Sequence, residues 1–479
     1  MDHKNMLPGY RVKQGASKRK IKRDESVEVR YNANILSMPP LFRRILFYLF
    51  LFCFLISAPL AVLYTAGYRY DVGSGMVIKT GVLSLESAPK GATVRIDDIE
   101  AKEKTPAIIN TIIPGEHDVQ IIKDGYLPWE KTLRVQSNQT TFASATLFLV
   151  DAPQLFSSLT PTFATTSPNR EEVAFVTRNE ETTDVWRLTA NATSPFLIAS
   201  FPSSKKITKI LWSPEARYLL LQTTDLEKPF SIYTRDGDSL LNPSQLFETI
   251  TALWWDVGQD GFLFLTTDTK QVRLNIANGL FDFLDLPCEA ARTVSQGLVI
   301  VQQTIERASL IRTQNGESTI LAYLPSGNYQ FHSSPDHVFL LEDTRHQRIL
   351  LLDARGGDQP ILLNDEATLW QWNQQGHLLV SDGFDLHVYD SYAHTDTLLT
   401  RTSEHMSALI WYATGTDVVF CLPSTIQAVE IDERGSRHAP LLAVDTSCTN
   451  LWMDTDGKTL SFFGTIGGER GWFEKKMQE

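Results

Sequence analysis

The sequence is poor in the residues that usually announce chemistry. It has four cysteines among 479 residues, with no CxxC pair and no metal-type spacing. Cys53 falls in an apolar run, and Cys288, Cys421 and Cys448 stand far apart. A disulfide framework is therefore not expected, and buried free thiols are. A single Cys421–Cys448 bridge is the alternative if their strands are neighbours. There is no GxSxG, no P-loop and no dinucleotide-binding fingerprint. Seven of the ten histidines lie between His332 and His405, but none forms an HxH or HExxH pair. Surface or strand-end positions are expected for them. "DTDGKTL" at Asp454 starts like a calcium loop, yet its twelfth position is Thr465, so a β-turn is expected. These absences leave no catalytic residue, metal ligand or cofactor site to nominate.

Positive charge is also scarce outside the N-terminus. The chain carries −12 in total. Residues 1–44 hold eleven Lys or Arg against four acids, so the remainder carries about −19. An acidic bulk argues against nucleic acid as a partner of the main body. The basic cluster Ser17–Arg23 is expected to set topology. Contact with anionic lipid or nucleic acid is its other reading.

Only one long apolar run is present, Ile45 to Tyr68, with no charge in 24 residues. At 1.5 Å per residue it spans roughly 36 Å, enough to cross a membrane core of about 30 Å. Arg43 and Arg44 abut its start, and Tyr64, Tyr68 and Tyr70 gather at its end, where amphipathic rings favour the interface. Pro59 is tolerable in a membrane helix. A cleaved signal peptide is the alternative, since "SAPLA" offers small residues. The length of the run and the 44-residue leader weigh against it. The basic flank places the N-terminus in the cytoplasm and everything after about residue 70 outside.

From Gly81 to Leu149 apolar residues alternate: Leu83 and Leu85, then Ala92, Val94 and Ile96, then Val119 and Ile121, then Leu133 and Val135. Turn residues interrupt them, which predicts five or so short antiparallel strands in a small β-sandwich. Pro89-Lys90-Gly91-Ala92, Thr105-Pro106, Pro114-Gly115 with His117, and Gly125-Tyr126 before Pro128-Trp129 follow in order. This set resembles the PEGA domain, with Lys replacing Glu at the second motif position. The expected roles of Pro89, Gly91, Ala92, Pro106, Pro114, Gly115, Gly125 and Tyr126 are structural. Pro89 presets a turn, Gly91 supplies free φ, Ala92 starts an inward face, and Gly115 and Gly125 close hairpins. The resemblance implies a structural or adhesive module of a prokaryotic surface protein and no enzymatic activity.

From about residue 151 the sequence repeats. Trp212, Trp254, Val294, Phe331, Trp370, Trp411 and Trp452 are 37 to 42 residues apart, each opening a unit of several short strands. That period predicts a β-propeller of seven or eight blades. Eight units are countable, and "PQLFSSLT" from Pro153 is expected to supply the last strand of the final unit. Ser-Pro at 167, 213 and 334 resembles the turn of TolB-type, WD-like propeller repeats. The tryptophans are expected in packing between blades rather than in sugar stacking.

The expected chain is thus mainly β: a basic tail (1–44), one transmembrane helix (45–68), a PEGA-like β-sandwich (81–149) and a propeller (151–479). The expected role is non-enzymatic binding or scaffolding at a cell envelope. Its partners are the lipid bilayer and a protein or a cell-wall glycan. A propeller hydrolase or lyase and an envelope assembly factor are the alternatives.

Overall fold

The computed structural model describes residues 40–71, 75–192, 194–284, 287–295 and 297–479. The N-terminal basic residues from Lys4 to Arg30, including the Ser17–Arg23 cluster, lie outside the described residues.

Helix α1 runs Pro40–Thr65, longer at its start and shorter at its end than the 45–68 expected from composition. Pro40 at the first position has the φ a helix needs and lacks only an N–H that would be unbonded there anyway. Gly67 takes a φ of 85°, which stops the helix, and Tyr68 opens a strand, Tyr68–Asp71, paired with Met76–Lys79. Arg43 and Arg44 fall in the first turns and Tyr64 in the last, while Tyr68 is not helical. This is the one helix among the described residues long and apolar enough to cross a membrane. The helix and the part from Gly67 onward are separate compact units.

Residues 81–146 form seven strands in two sheets. One sheet holds Ala107–Ile112, Gly81–Ala88 and Thr140–Thr146; the other holds Ile99–Lys104, Thr93–Ile96, Gly115–Ile122 and Trp129–Val135. Leu83, Leu85, Val94, Val119, Ile121 and Leu133 fill the space between them. Two expectations need correction. The strands are not all antiparallel, because Gly81–Ala88 pairs in parallel with Thr140–Thr146. Alternation reports which face a residue takes and is silent on strand direction. Nor does Pro114-Gly115 close a hairpin. It is a corner, since Ala107–Ile112 and Gly115–Ile122 belong to different sheets. His117 pins it, with Nδ1 2.6 Å from Asp97 Oδ2 and Nε2 2.6 Å from the Ile113 carbonyl. Pro106 marks the matching corner at the other end of Ala107–Ile112.

The Pro89–Ala92 turn is held by Thr105. Gly91, at φ 82°, donates its N–H to the Thr105 carbonyl at 2.7 Å, and Ala92 N–H donates to Thr105 Oγ1 at 2.9 Å. Gly125 does turn a hairpin, between Gly115–Ile122 and Trp129–Val135. Tyr126 beside it is buried and bridges to Leu149.

Eight sheets follow among the described residues, spanning 163–202, 207–234, 252–283, 290–324, 329–366, 369–401, 408–444 and 446–476. We number them blades 1 to 8. Each has four strands except blade 2, which has three. Gln154–Ser157 supplies the outer strand of blade 8, pairing with Glu469–Lys476. Neighbouring blades share buried apolar clusters all round the ring. At the seam, Val173 and Phe175 of blade 1 meet Trp452 and Trp472 of blade 8. Closure turns the edges of the inner strands toward the channel, where they are short and protected.

The tryptophan period conceals a one-residue slip. Trp212, Trp255 and Trp411 each end the inner strand of their blade. Each donates its indole N–H to a carbonyl of the preceding blade: Thr165 at 3.2 Å, Leu211 at 3.0 Å and Gln371 at 3.2 Å. Trp255, not Trp254, is therefore the equivalent position. Trp254 faces the other way and stacks on Phe264, 6.1 Å between ring centres. A step of one residue reverses the face, and a count of spacings does not register it.

The sandwich and the propeller share one interface. Leu147 and Leu149 enter the sandwich core, while Phe148 between them enters the core of blades 7 and 8, edge-on to Tyr412 at 5.2 Å. Lys131 is fully buried, with Nζ 2.9 Å from Glu430 Oε2, 2.8 Å from the Asp432 carbonyl and 3.2 Å from Asp432 Oδ2. Thr146 Oγ1 donates to Asp417 Oδ2 at 2.6 Å. Lys475 caps the junction by donating to the carbonyls of Leu149 and Asp151. Gly435, at φ 65°, passes so close to the Thr132 carbonyl that a Cβ would collide with it. Burial pushes Asp417 up to about 6 against the bonds from Thr146 and Thr416. Burial likewise raises Glu430, opposed by Lys131. Burial, with Lys131 adding, pulls His438 down to about 4.

The cysteine expectation is also corrected. Cys421 of blade 7 and Cys448 of blade 8 are disulfide-bonded, with Cα atoms 5.8 Å apart, while Cys288 is buried and free.

Two outcomes test the interface. Lys131→Met leaves Glu430 and Asp432 without their buried cation and should destabilise the protein by about 3–5 kcal/mol in chemical denaturation. Asp417 holds its proton to higher pH when folded than when unfolded, so its contribution to stability declines as pH rises from about 4 to about 6. The stability of wild type relative to Asp417→Asn should fall across that window by about 2–3 kcal/mol and stay flat above it.

Candidate functional site

Each blade starts at the channel and works outward, so its loops sort onto two faces. Turns joining strands 1–2 and 3–4 lie on one face. Turns joining strands 2–3, and the crossings to the next blade, lie on the other. The sandwich sits on the first face, because its partners Tyr412, Asp417, Glu430, Asp432 and Met477 are all at 1–2 or 3–4 positions of blades 7 and 8. The second face carries no other domain among the described residues.

The 1–2 turns are anchored by a short polar side chain just after the inner strand. Ser167 Oγ accepts the Glu172 N–H at 3.1 Å, and Ser213 Oγ accepts that of Tyr218 at 3.1 Å. Asn373 and Asp454 do the same for His377 and Thr459, at 2.9 and 3.0 Å. The Asp454 stretch is a turn of this kind. The histidines between His332 and His405 do not converge. His332 pairs with Glu342 and His346 with Asp343 on blade 5, and His377 pairs with Asp390 and His387 with Asp396 on blade 6, each with its own carboxylate. No group of three or more metal-ligating side chains occurs among the described residues.

The concave features are the channel and its two mouths. The channel holds a cavity of about 460 Å³ walled by Trp212, Trp255, Trp370 and Trp372, with His332 and Arg170. Arg170 donates to Thr166 Oγ1 at 2.7 Å and forms no ion pair among the described residues. Burial draws its guanidinium down to about 10. A partly accessible side chain in a narrow channel still loses most of its hydration, so the cost of its charge stands uncompensated.

The mouth on the open face widens into a cleft of about 660 Å³ over blades 2 to 5. Phe230, Trp254, Tyr329 and Phe331 form its apolar walls, and Lys209, Gln271, Glu289 and Gln330 its polar rim. Burial raises Glu289, with Asp343 adding to the effect. Burial pushes Tyr329 up to about 12. The Trp254 indole N–H is buried with no acceptor. Gln271 is held by Cys288, whose N–H donates to its Oε1 at 2.7 Å. The cleft thus brings together amides, aromatic rings, the Lys209 ammonium and the Glu289 carboxylate.

Two large apolar side chains stand at turn tips on the same face as this cleft, outside its lining. Leu226, in the 2–3 turn of blade 2, is 98% exposed, and Ile305, in that of blade 4, is 100% exposed. The residues nominated from sequence are elsewhere: the eight PEGA-motif positions are in the sandwich, and Arg43, Arg44 and Tyr64 are in α1. Sequence reasoning missed Arg170, Glu289, Leu226 and Ile305. For the last two a signal was present, an aliphatic residue among polar neighbours in "TDLEKP" and "TIERA".

Residues 80–149 match the PEGA domain. Solved structures similar to the chain are β-propellers. The C-terminal WD40 domain of Sif2 shares 12% identity, with 68% of this chain and 99% of that chain covered and a TM-score of 0.46. Sqt1 from Chaetomium thermophilum shares 13%, covering 68% and 100%, at 0.43. The uncharacterized protein lmo1340 from Listeria monocytogenes EGD-e shares 13%, covering 58% and 95%, at 0.41. No curated protein matches the sequence.

Proposed function

We propose that this is a membrane-anchored, extracytoplasmic binding protein whose open propeller face engages a protein partner. It has no enzymatic activity of its own in this reading. The observation that carries it is the pairing of an aromatic cleft with fully exposed Leu226 and Ile305 on one face. Isolated apolar side chains are ordinary on surfaces, but two fully exposed ones at turn tips on the face that bears the cleft supply anchors of the kind that protein interfaces bury. A glycan would be held by stacking on exposed rings, and the cleft's aromatic walls are largely turned into blade packing. The sandwich, spent on the opposite face, acts as a mount that orients the propeller.

The location rests on two independent features. Arg43 and Arg44 at the start of α1 favour a cytoplasmic N-terminus. The Cys421–Cys448 bond belongs in an oxidising compartment.

Crosslinking in intact cells checks the partner. Wild type should capture a defined protein at physiological salt, and Leu226→Asp/Ile305→Asp should lose it by tenfold or more while melting normally. Capture undiminished by that pair, or retention on purified wall glycan instead, would overturn the reading. The location has its own check. Alkylation of protein denatured without reductant should label Cys53 and Cys288 only, and reduction should add Cys421 and Cys448.

A further inference from the structure

A second concavity lies away from the cleft, on the face that bears the 1–2 turns, between blades 3, 4 and 5. It measures about 360 Å³ and is bordered by Arg292, Arg312, Thr293, Ser295, Asp336 and Phe339. Its walls are unusual in charge. Arg292 is 4% exposed. It donates to Ser334 Oγ at 2.5 Å and to the Ser334 carbonyl at 3.3 Å, and its only carboxylate is Asp336 at 3.9 Å. Asp336 itself is fully exposed, so water weakens its hold on Arg292 without abolishing it. The nearby Asp256 is taken up by Arg273 and by the Thr293 side chain. Arg312 donates to the Ala354 carbonyl and pairs with no carboxylate among the described residues. The Nε of each arginine is buried without an acceptor. Other arginines in the protein also have a buried, unmatched Nε. Here two of them border one concavity.

We infer that this concavity is an oxyanion site, built to take a phosphate- or sulfate-type group between Arg292 and Arg312. Two guanidinium groups, each with donors left over, fit the several oxygens of such an anion, and each N–H···O bond to it is charge-assisted. The side chains are set before any ligand arrives, which lowers the ordering cost of binding. Asp336 is the competitor, because it is the one carboxylate that approaches Arg292 from solvent. The site is on the opposite face from the aromatic cleft, and neither proposal depends on the other.

Equilibrium dialysis of the full-length protein in uncharged detergent, with radiolabelled inorganic phosphate at constant ionic strength in chloride, tests the inference. Wild type should bind one phosphate saturably, and Arg312→Gln should weaken binding at least tenfold. Asp336→Asn, at an exposed position that does not endanger folding, should tighten it several-fold. Glycerol phosphate as competitor separates the sources: displacement at equal or lower concentration than phosphate means a phosphate carried on a larger ligand, and weaker displacement means the free ion. Both results support an oxyanion site. Absence of saturable binding, equal affinity in Arg312→Gln, or no change in Asp336→Asn would each overturn it.

Discussion

Three consecutive residues hold the two β domains together. Leu147 and Leu149 are committed to the sandwich and Phe148 to the propeller, so a stretch of extended chain with period two serves two cores at once. The domain boundary is therefore not a linker. Neither core is complete without this segment, and the polar contacts around it follow from its position. Lys131 and Glu430 are buried, and Asp432 half-buried, because the apolar contact has drawn the modules close enough to exclude water. Once excluded, the charges have to be matched. Five residues beyond Leu149, Gln154–Ser157 completes blade 8, so the same short length of chain also closes the ring.

The orientation of the propeller is a consequence. With the sandwich fixed on the face of the 1–2 and 3–4 turns, the opposite face is left to the solvent with its cleft. Propellers offer two equivalent-looking platforms at the ends of a channel. Here one carries the sandwich and the other is left open, and that difference is set by a handful of side chains at blades 7 and 8.

Much of this architecture was legible before any coordinates. The apolar run, the alternation of the sandwich and a period near forty are strong signals, because each reflects a repeated demand for burial. What escaped were relations between distant segments. Cys421 and Cys448 are 27 residues apart in sequence, and nothing in their surroundings says that strand 2 of one blade abuts strand 1 of the next. Trp254 and Trp255 are adjacent, and only the hydrogen bond to Leu211 shows which of them repeats. Lys131 did leave a trace. It stands in phase with Trp129, Leu133 and Val135, on the buried side of its strand. A lysine at that phase is a charge that must find a partner, and a stricter count of the alternation identifies it. The open-face cleft left none, since it is a property of how four blades are spaced around a channel.

The closing strand has a further consequence for how the protein is made. Gln154–Ser157 lies ahead of every blade in the chain, while its partner Glu469–Lys476 lies near the end. Synthesis from the N-terminus delivers one half of the pair more than three hundred residues before the other. Through that interval an edge strand waits unpaired, and Lys475 and Met477 are not yet present to cap the sandwich junction. Such remote pairing is slow to form. A chain that stops before Glu469–Lys476 therefore lacks two things at once, the pairing that closes the ring and the contacts that cap the sandwich junction.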